Sequence, residues 1–230
     1  MNSKHNILFL HLSKTAGSSL RVALGNNFKQ NERLEVYVPP GTIKPQPHNP
    51  NSIMHYVKNT YSSDVLRNTR FFSAHCFYGM HTIFKQDFKY ITMLRDPIER
   101  IVSHYYFTTK TNLAVRSKFK TLEDYVEKQT NQHNWMTKMV SGTWTGDLDL
   151  AKHNIKENIA FCGITEMYNE SIELMAKMFN LNLKNEIRNA NKDKKPLGKG
   201  DEKIKKRICE LHSKDIELYN FAKDLLKSKL

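Results

Sequence analysis

Cysteines that could pair are what this 230-residue chain most clearly lacks. Cys76, Cys162 and Cys209 are odd in number and form no C-x-x-C pair. That excludes a disulfide framework or a zinc ribbon and fits a reducing compartment. Long hydrophobic runs are missing too. "ILFLHL", preceded only by Met1 to Asn6, is too short for a secretory core or a membrane span. A soluble cytoplasmic protein is the expectation. Acidic residues are scarce: 23 Asp and Glu face 36 Lys and Arg, a net +13. Such a surplus suits an anionic partner, whether nucleotide, nucleic acid, acidic glycan or membrane surface, although a solvated lysine-rich face also accounts for it. Proline is concentrated in "PPGTIKPQPHNP", which holds five of the seven and must be a loop. No internal repeat and no clear linker occurs. Apolar residues, 39% of the chain, suffice for a single-domain core spanning residues 1–230.

What is present begins with strand candidates. Ile7 to Leu12 is a continuous apolar run of the kind buried on both faces of a sheet. Leu34 to Val38, Arg70 to His75, Tyr90 to Leu94 and Asn158 to Thr165 read as further strands. Leu20, Val22, Ala23 and Leu24 suggest a helix capped by Ser18 or Ser19. From Asp96 the pattern turns helical. Thr121 and Asp124 make a capping-box-like start, and stripes at i, i+3, i+4, i+7 run from Ile172 to Phe179 and from Leu218 to Leu225. Alternating strands and helices predict an α/β fold, a P-loop-like parallel sheet flanked by helices with a helical C-terminal half. Ligands gather at the carboxyl ends of such strands. Lys14, His75 and Arg95 follow the ends of three of them and should converge on one crevice.

Two stretches carry phosphate chemistry. In "SKTAGSSL", Ala16 and Gly17 allow close backbone approach to an anion. Lys14 adds a point charge, Thr15, Ser18 and Ser19 add hydroxyls, and the helix start adds its positive dipole end. The order is not that of a Walker A loop, because the lysine precedes the only glycine. In "YITMLRDPIERIVSHYYF", Arg95 leaves a strand, Asp96 caps and Pro97 takes the first turn. Ser103 lies roughly two helical turns further on. A guanidinium at the strand end and a hydroxyl on the helix can grip one phosphate from two sides. Arg95 reads equally as half of a buried ion pair, and Arg100 as a partner of Asp96 or Glu99.

Together these segments resemble the two cofactor signatures of the sulfotransferases, particularly the Golgi-type carbohydrate branch with its 2-O-type heparan sulfate enzymes and their bacterial relatives. The resemblance continues through "RFFSAHCFYGMH", "LAKHNIKENIAFCGITEMYNESIELM" and "KDIELYNFAKDLL". It implies 3′-phosphoadenosine 5′-phosphosulfate as donor, without a metal. Residues Lys14 to Ser19 would take its 5′-phosphosulfate, and Arg95 and Ser103 its 3′-phosphate. Arg188 and Lys194, in "IRNANKDKKPLG", would contact the nucleotide from a closing loop. Lys14 would stabilise the leaving phosphate and a histidine would act as base. His75 matches the base of the 2-O-type enzymes and is preferred; His81 matches that of the 6-O-type. Ser73 stands where the 2-O-type enzymes have another histidine, which leaves acceptor specificity open. His11 and His104 read as supporting groups. The segment from Thr108 to Gly146, with Trp135 and Trp144, is expected to shape the acceptor site together with the proline-rich loop.

The implied function is sulfuryl transfer to a hydroxyl of a glycan or other acceptor. Two other classes compete. A P-loop nucleotide kinase or ATPase lacks its lysine order here. A polyanion or nucleic-acid binder would suit the charge, yet no basic run is interleaved with stacking aromatics.

Overall fold

The computed structural model describes residues 5–37, 52–183, 197 and 201–230. The whole proline-rich stretch, Arg188 and Lys194 lie outside the described residues. Five short strands, β1 (Ile7–Leu10), β2 (Arg33–Val36), β3 (Phe71–Ala74), β4 (Lys89–Leu94) and β5 (Phe161–Ile164), form one sheet. Their order is β2-β3-β1-β4-β5 and every pairing is parallel. The P-loop-like parallel α/β architecture expected from the sequence is the one found. β1, β3 and β5 are buried throughout, which is why they read as unbroken apolar runs.

Between the strands lie α1 (Gly17–Gly25), α2 (Ser52–Thr60) and α3 (Ser63–Asn68). After β4 come α4 (Pro97–Thr111), α5 (Leu113–Lys118), α6 (Leu122–Lys128), α7 (Trp135–Ser141) and α8 (Leu148–His153). Beyond β5 are α9 (Tyr168–Phe179), α10 (Glu202–Leu211) and α11 (Ser213–Lys227). Asp96 caps α4 by accepting from the Glu99 N–H at 3.0 Å, with Pro97 in the first turn, and Thr121 caps α6 through the Asp124 N–H. Both caps match the sequence expectation.

The start of α1 does not. Its cap position is Ala16, in the left-handed region at φ 60°, and no side chain caps the helix. Ser18 is exposed inside the first turn and Ser19 is buried in it, so neither stands where a capping hydroxyl must.

The main core joins the sheet to its helices, with Leu20, Leu24, Met136, Val140, Met175 and Leu218 among its members. A second cluster joins α4 to α5, α6 and α10 through Ile101, Val102, Phe119, Tyr125 and Ile208. Since β3, β1 and β4 are neighbours and parallel, their carboxyl ends lie side by side.

Candidate active site

The loop from β1 to α1 is shaped by local backbone. Lys14 (φ 68°) and Ala16 (φ 60°) are left-handed without being glycine, a costly state that clusters at functional sites. Between them Thr15, fully buried, donates its hydroxyl to the Leu12 carbonyl at 2.9 Å. Thr15 therefore braces the loop with its side chain, leaving its backbone N–H as what it can offer a ligand. Gly17 is required for a different reason. A Cβ there would stand 2.2 Å from Cδ2 of His11, whose ring lies against the helix start.

Lys14 is desolvated by burial and lies near Arg95, and both effects lower its pKa. Its ammonium sits 4.1 Å from the centre of the Phe107 ring on α4. Arg95, at the end of β4, donates to the Lys14 carbonyl at 3.2 Å and to Glu99 at 3.4 Å. Its Nε is buried and makes no hydrogen bond among the described residues; Glu166 Oε1 stands 3.9 Å away. Glu166 lies two residues past the end of β5. It accepts from the Asp96 N–H at 3.2 Å and from the Tyr219 hydroxyl at 3.1 Å. Arg95 is thus half of a partly exposed ion-pair arrangement and also the brace of the lysine loop. Ser103, 4% exposed, sits on the inward face of α4, about 9 Å along the helix from its first residue, Pro97.

His75 follows β3, across from His11 after β1; their ring centres are 4.4 Å apart. His75 Nδ1 is 2.7 Å from the His11 carbonyl. A carbonyl can only accept, so Nδ1 carries the proton and the neutral ring keeps its lone pair on Nε2. The residue is exposed to solvent, although protein packs around its ring from His11 and Tyr37. Burial lowers its pKa, and the nearby Arg21 charge adds to that effect against the upward pull of the His11 carbonyl.

His81 lies in a short turn that opens on left-handed Gly79 (φ 111°). The Tyr90 hydroxyl accepts from the N–H groups of Gly79 (3.1 Å) and His81 (3.0 Å), which fill both its lone pairs. Its own proton then goes to His81 Nδ1, 3.0 Å away, so neutral His81 carries its ring proton on Nε2. The two histidines are set in opposite tautomers by their surroundings.

Tyr37 and Glu166 are invisible to motif reading, whereas His11 and His104 read as supporting groups. His11 Nδ1 bonds the Tyr37 hydroxyl at 2.7 Å, and Tyr37 in turn bonds Ser73 at 2.5 Å, fixing the ring beneath His75. The residue noted as a departure, Ser73, is therefore buried in this chain of hydrogen bonds. His104, beside Ser103, bonds the Tyr125 hydroxyl, and burial together with Arg100, Lys14 and His75 brings its pKa down to about 3. The carboxyl-end rule would have found Glu166 and Tyr37 had it been extended to β5 and β2. Arg100 is fully buried and donates to Gln132 rather than pairing with Asp96 or Glu99. Trp135 and Trp144 pack against Phe77, with ring centres 5.7 and 5.9 Å away, and so support the turn between the two histidines from behind.

Comparison with known proteins fits this arrangement. Residues 1–222 match the pattern of the Sulfotransferase family. The chain belongs to the sulfotransferase family. Heparan-sulfate 6-O-sulfotransferase 1 of Homo sapiens is 26% identical over 277 residues, covering 97% of this chain and 66% of its own. Heparan-sulfate 6-O-sulfotransferase 3-B of Danio rerio is 28% identical over 181 residues, covering 61% of this chain and 43% of its own. Heparan-sulfate 6-O-sulfotransferase 2 of Gallus gallus is 38% identical over 78 residues, 34% of this chain and 19% of its own. The chain thus spans at most about two thirds of these relatives. Their names carry the 6-O designation, whereas the resemblance read from the sequence leaned to the 2-O type.

Proposed function

We propose that this protein transfers a sulfuryl group from 3′-phosphoadenosine 5′-phosphosulfate to a hydroxyl of a carbohydrate, with His75 as general base. The residues suit such a donor. An uncapped helix start, a left-handed lysine loop and a partly buried guanidinium whose Nε makes no hydrogen bond among the described residues are gathered at neighbouring strand ends. Lys14 to Ser19 would hold the 5′ end, and Arg95 with Ser103 the 3′-phosphate. When bound, the donor supplies a sulfuryl group on a phosphate leaving group.

The observation that carries the assignment of the base is the His75 Nδ1–H bond to the His11 carbonyl. It leaves Nε2 able to accept the proton of an acceptor hydroxyl as that oxygen bonds to sulfur. The electron pair of the broken sulfur–oxygen bond departs with the 5′-phosphate, where Lys14 and the N–H groups of α1 offset the charge. A lowered pKa keeps His75 in its accepting form at neutral pH. His81 as base is the second reading, supported by the 6-O names of the relatives. Its Nε2 proton instead suits donation of a hydrogen bond to a glycan oxygen.

Incubation with sulfur-labelled donor and a panel of sugars, glycans and phenols tests the reading. Label is expected on a carbohydrate. Label on phenols alone, or none on any acceptor while ATP is hydrolysed with magnesium, overturns it.

A further inference from the structure

His11 reaches both halves of the crevice: its carbonyl holds His75, and its ring lies against the start of α1. The ring is buried and fixed on three sides. Phe9 stacks on it with centres 5.2 Å apart, Tyr37 meets it edge-on at 5.5 Å, and His75 lies at 4.4 Å. Its Cδ2–Nε2 edge abuts Gly17, the first residue of α1. A Cβ on Gly17 would stand 2.2 Å from Cδ2 and 2.3 Å from Nε2, so only glycine lets the ring approach this uncapped helix start.

The partners of the ring decide where its proton sits. Nδ1 meets the Tyr37 hydroxyl at 2.7 Å, and that hydroxyl meets Ser73 Oγ at 2.5 Å. Ser73 is fully buried and has no other hydrogen-bond partner among the described residues. A proton on Nδ1 would make the phenol donate to Ser73 and strand the serine proton, and an orphaned buried donor is costlier than a spare lone pair. In the opposite order Ser73 donates to Tyr37 and Tyr37 donates to Nδ1. That order also runs from the stronger acid, a phenol, to the stronger base, an imidazole nitrogen. Burial, helped by the His75 and Arg21 charges, keeps the ring neutral. Its one proton is then on Nε2, at the helix start.

We infer that His11 is a further catalytic residue, whose Nε2–H joins the N–H groups of α1 as a donor to the 5′-phosphate, with Tyr37 and Ser73 as the positioning residues that set its tautomer. This rests on the sulfuryl donor proposed above. A fixed N–H at that point meets charge that grows on the phosphate as the sulfur–oxygen bond breaks. The same residue thereby serves both partners of the reaction. Its carbonyl sets His75 to accept a proton, and its ring faces the group that leaves. The Arg21 guanidinium, 4.6 Å from the centre of the Tyr37 ring and 3.1 Å from Glu35, holds the phenol in place.

Imidazole nitrogen NMR on the unmodified protein should find the His11 proton on Nε2. Adenosine 3′,5′-bisphosphate should shift that proton downfield, and adenosine 3′-phosphate, which lacks the 5′ group, should not. A proton on Nδ1, or no shift with saturating bisphosphate, overturns the inference without any variant. Substitutions then separate the two ends of the ring, since the amide of Asn falls near Nδ1 of the histidine it replaces and that of Gln near Nε2. By calorimetry, His11→Asn should weaken the bisphosphate about tenfold, the scale of one hydrogen bond to a charged group, and leave adenosine 3′-phosphate unchanged. His11→Gln, which restores an N–H beside Gly17, should keep most of the affinity. Tyr37→Phe should show both tautomers and an intermediate affinity. Thermal melts matching the unmodified protein show that each variant is folded. If His11→Asn keeps bisphosphate affinity and His11→Gln loses it, the ring serves only to anchor Tyr37 and the inference falls. Unchanged affinity in both variants also overturns it, even if sulfuryl transfer proceeds. An unmodified protein that binds no bisphosphate refutes the donor itself, and the role of His11 with it.

Discussion

At the scale of single residues, the site turns on which nitrogen of each histidine holds a proton. His75→Ala should cut turnover roughly 10²–10⁴-fold, the range for loss of a general base, and leave nucleotide affinity nearly intact. His81→Ala should act mainly on KM for the acceptor, as befits a hydrogen-bond donor set by Tyr90. Steady-state kinetics on folded variants separates the two; the reverse pattern makes His81 the base. The pH profile gives an independent reading. A base whose pKa lies below the usual imidazole value stays neutral, so kcat/KM should hold level through neutrality. It should fall only as acid protonates Nε2, and that acidic limb should vanish in His75→Ala. Both histidines stood out in the sequence as residue types in "SAHCFYGMH". Their tautomers did not, because the His11 carbonyl and the Tyr90 hydroxyl reach them from other strands.

Among the elements, α1 and its entry loop place the helix dipole and Lys14 in the crevice, and their fit depends on one missing methyl group. Gly17→Ala would drive Cβ into the His11 ring. A loss of about 1–3 kcal/mol in denaturant unfolding is expected from such overpacking. Adding His11→Ala should recover part of it, since the clash partner is gone; strict additivity in this cycle would disprove the contact. β1, β3 and β5 were legible because burial on both faces writes an apolar run into each. Their ends were not. β1 stops at Leu10 rather than Leu12 and β5 starts at Phe161 rather than Asn158, where the chain leaves its ladder. The cap of α1 misled for a physical reason. Hydroxyls at Ser18 and Ser19 look like caps, yet left-handed Ala16 starts the helix earlier and leaves its N–H groups uncapped for an anion. Ion pairing of Arg95 with Glu166 was hidden because 71 residues separate them in the chain while β4 and β5 are neighbours.

On the scale of the whole molecule, cations and neutral histidines are packed around one cleft, and stability should depend on what fills it and on pH. His104 has a pKa of about 3 when folded against 6.5 normally. Between those values the unfolded chain binds the extra proton, so this contribution is complete above about pH 6.5 and is lost as pH falls toward 3. His104→Gln should flatten that part of the stability curve in urea titrations at pH 4 to 7. Ligand binding should work the other way. Arg95 holds Lys14 by its carbonyl, so filling the 3′ subsite and ordering the 5′ loop are coupled through one side chain. Adenosine 3′,5′-bisphosphate at about 100 times its dissociation constant should add about 2.7 kcal/mol to unfolding, by mass action alone. AMP at the same concentration should add far less, because it leaves Arg95 and Ser103 without a phosphate. Arg95→Ala should weaken bisphosphate binding by about 1.5–3 kcal/mol, the scale of charge-assisted hydrogen bonds, and weaken AMP by less, since AMP loses only the brace on the Lys14 loop. Calorimetry with both nucleotides on both proteins closes the cycle. Equal affinity for AMP and the bisphosphate in the unmodified protein would mean that Arg95 is structural only, a guanidinium held by Glu99, Glu166 and the Lys14 carbonyl with no phosphate to meet.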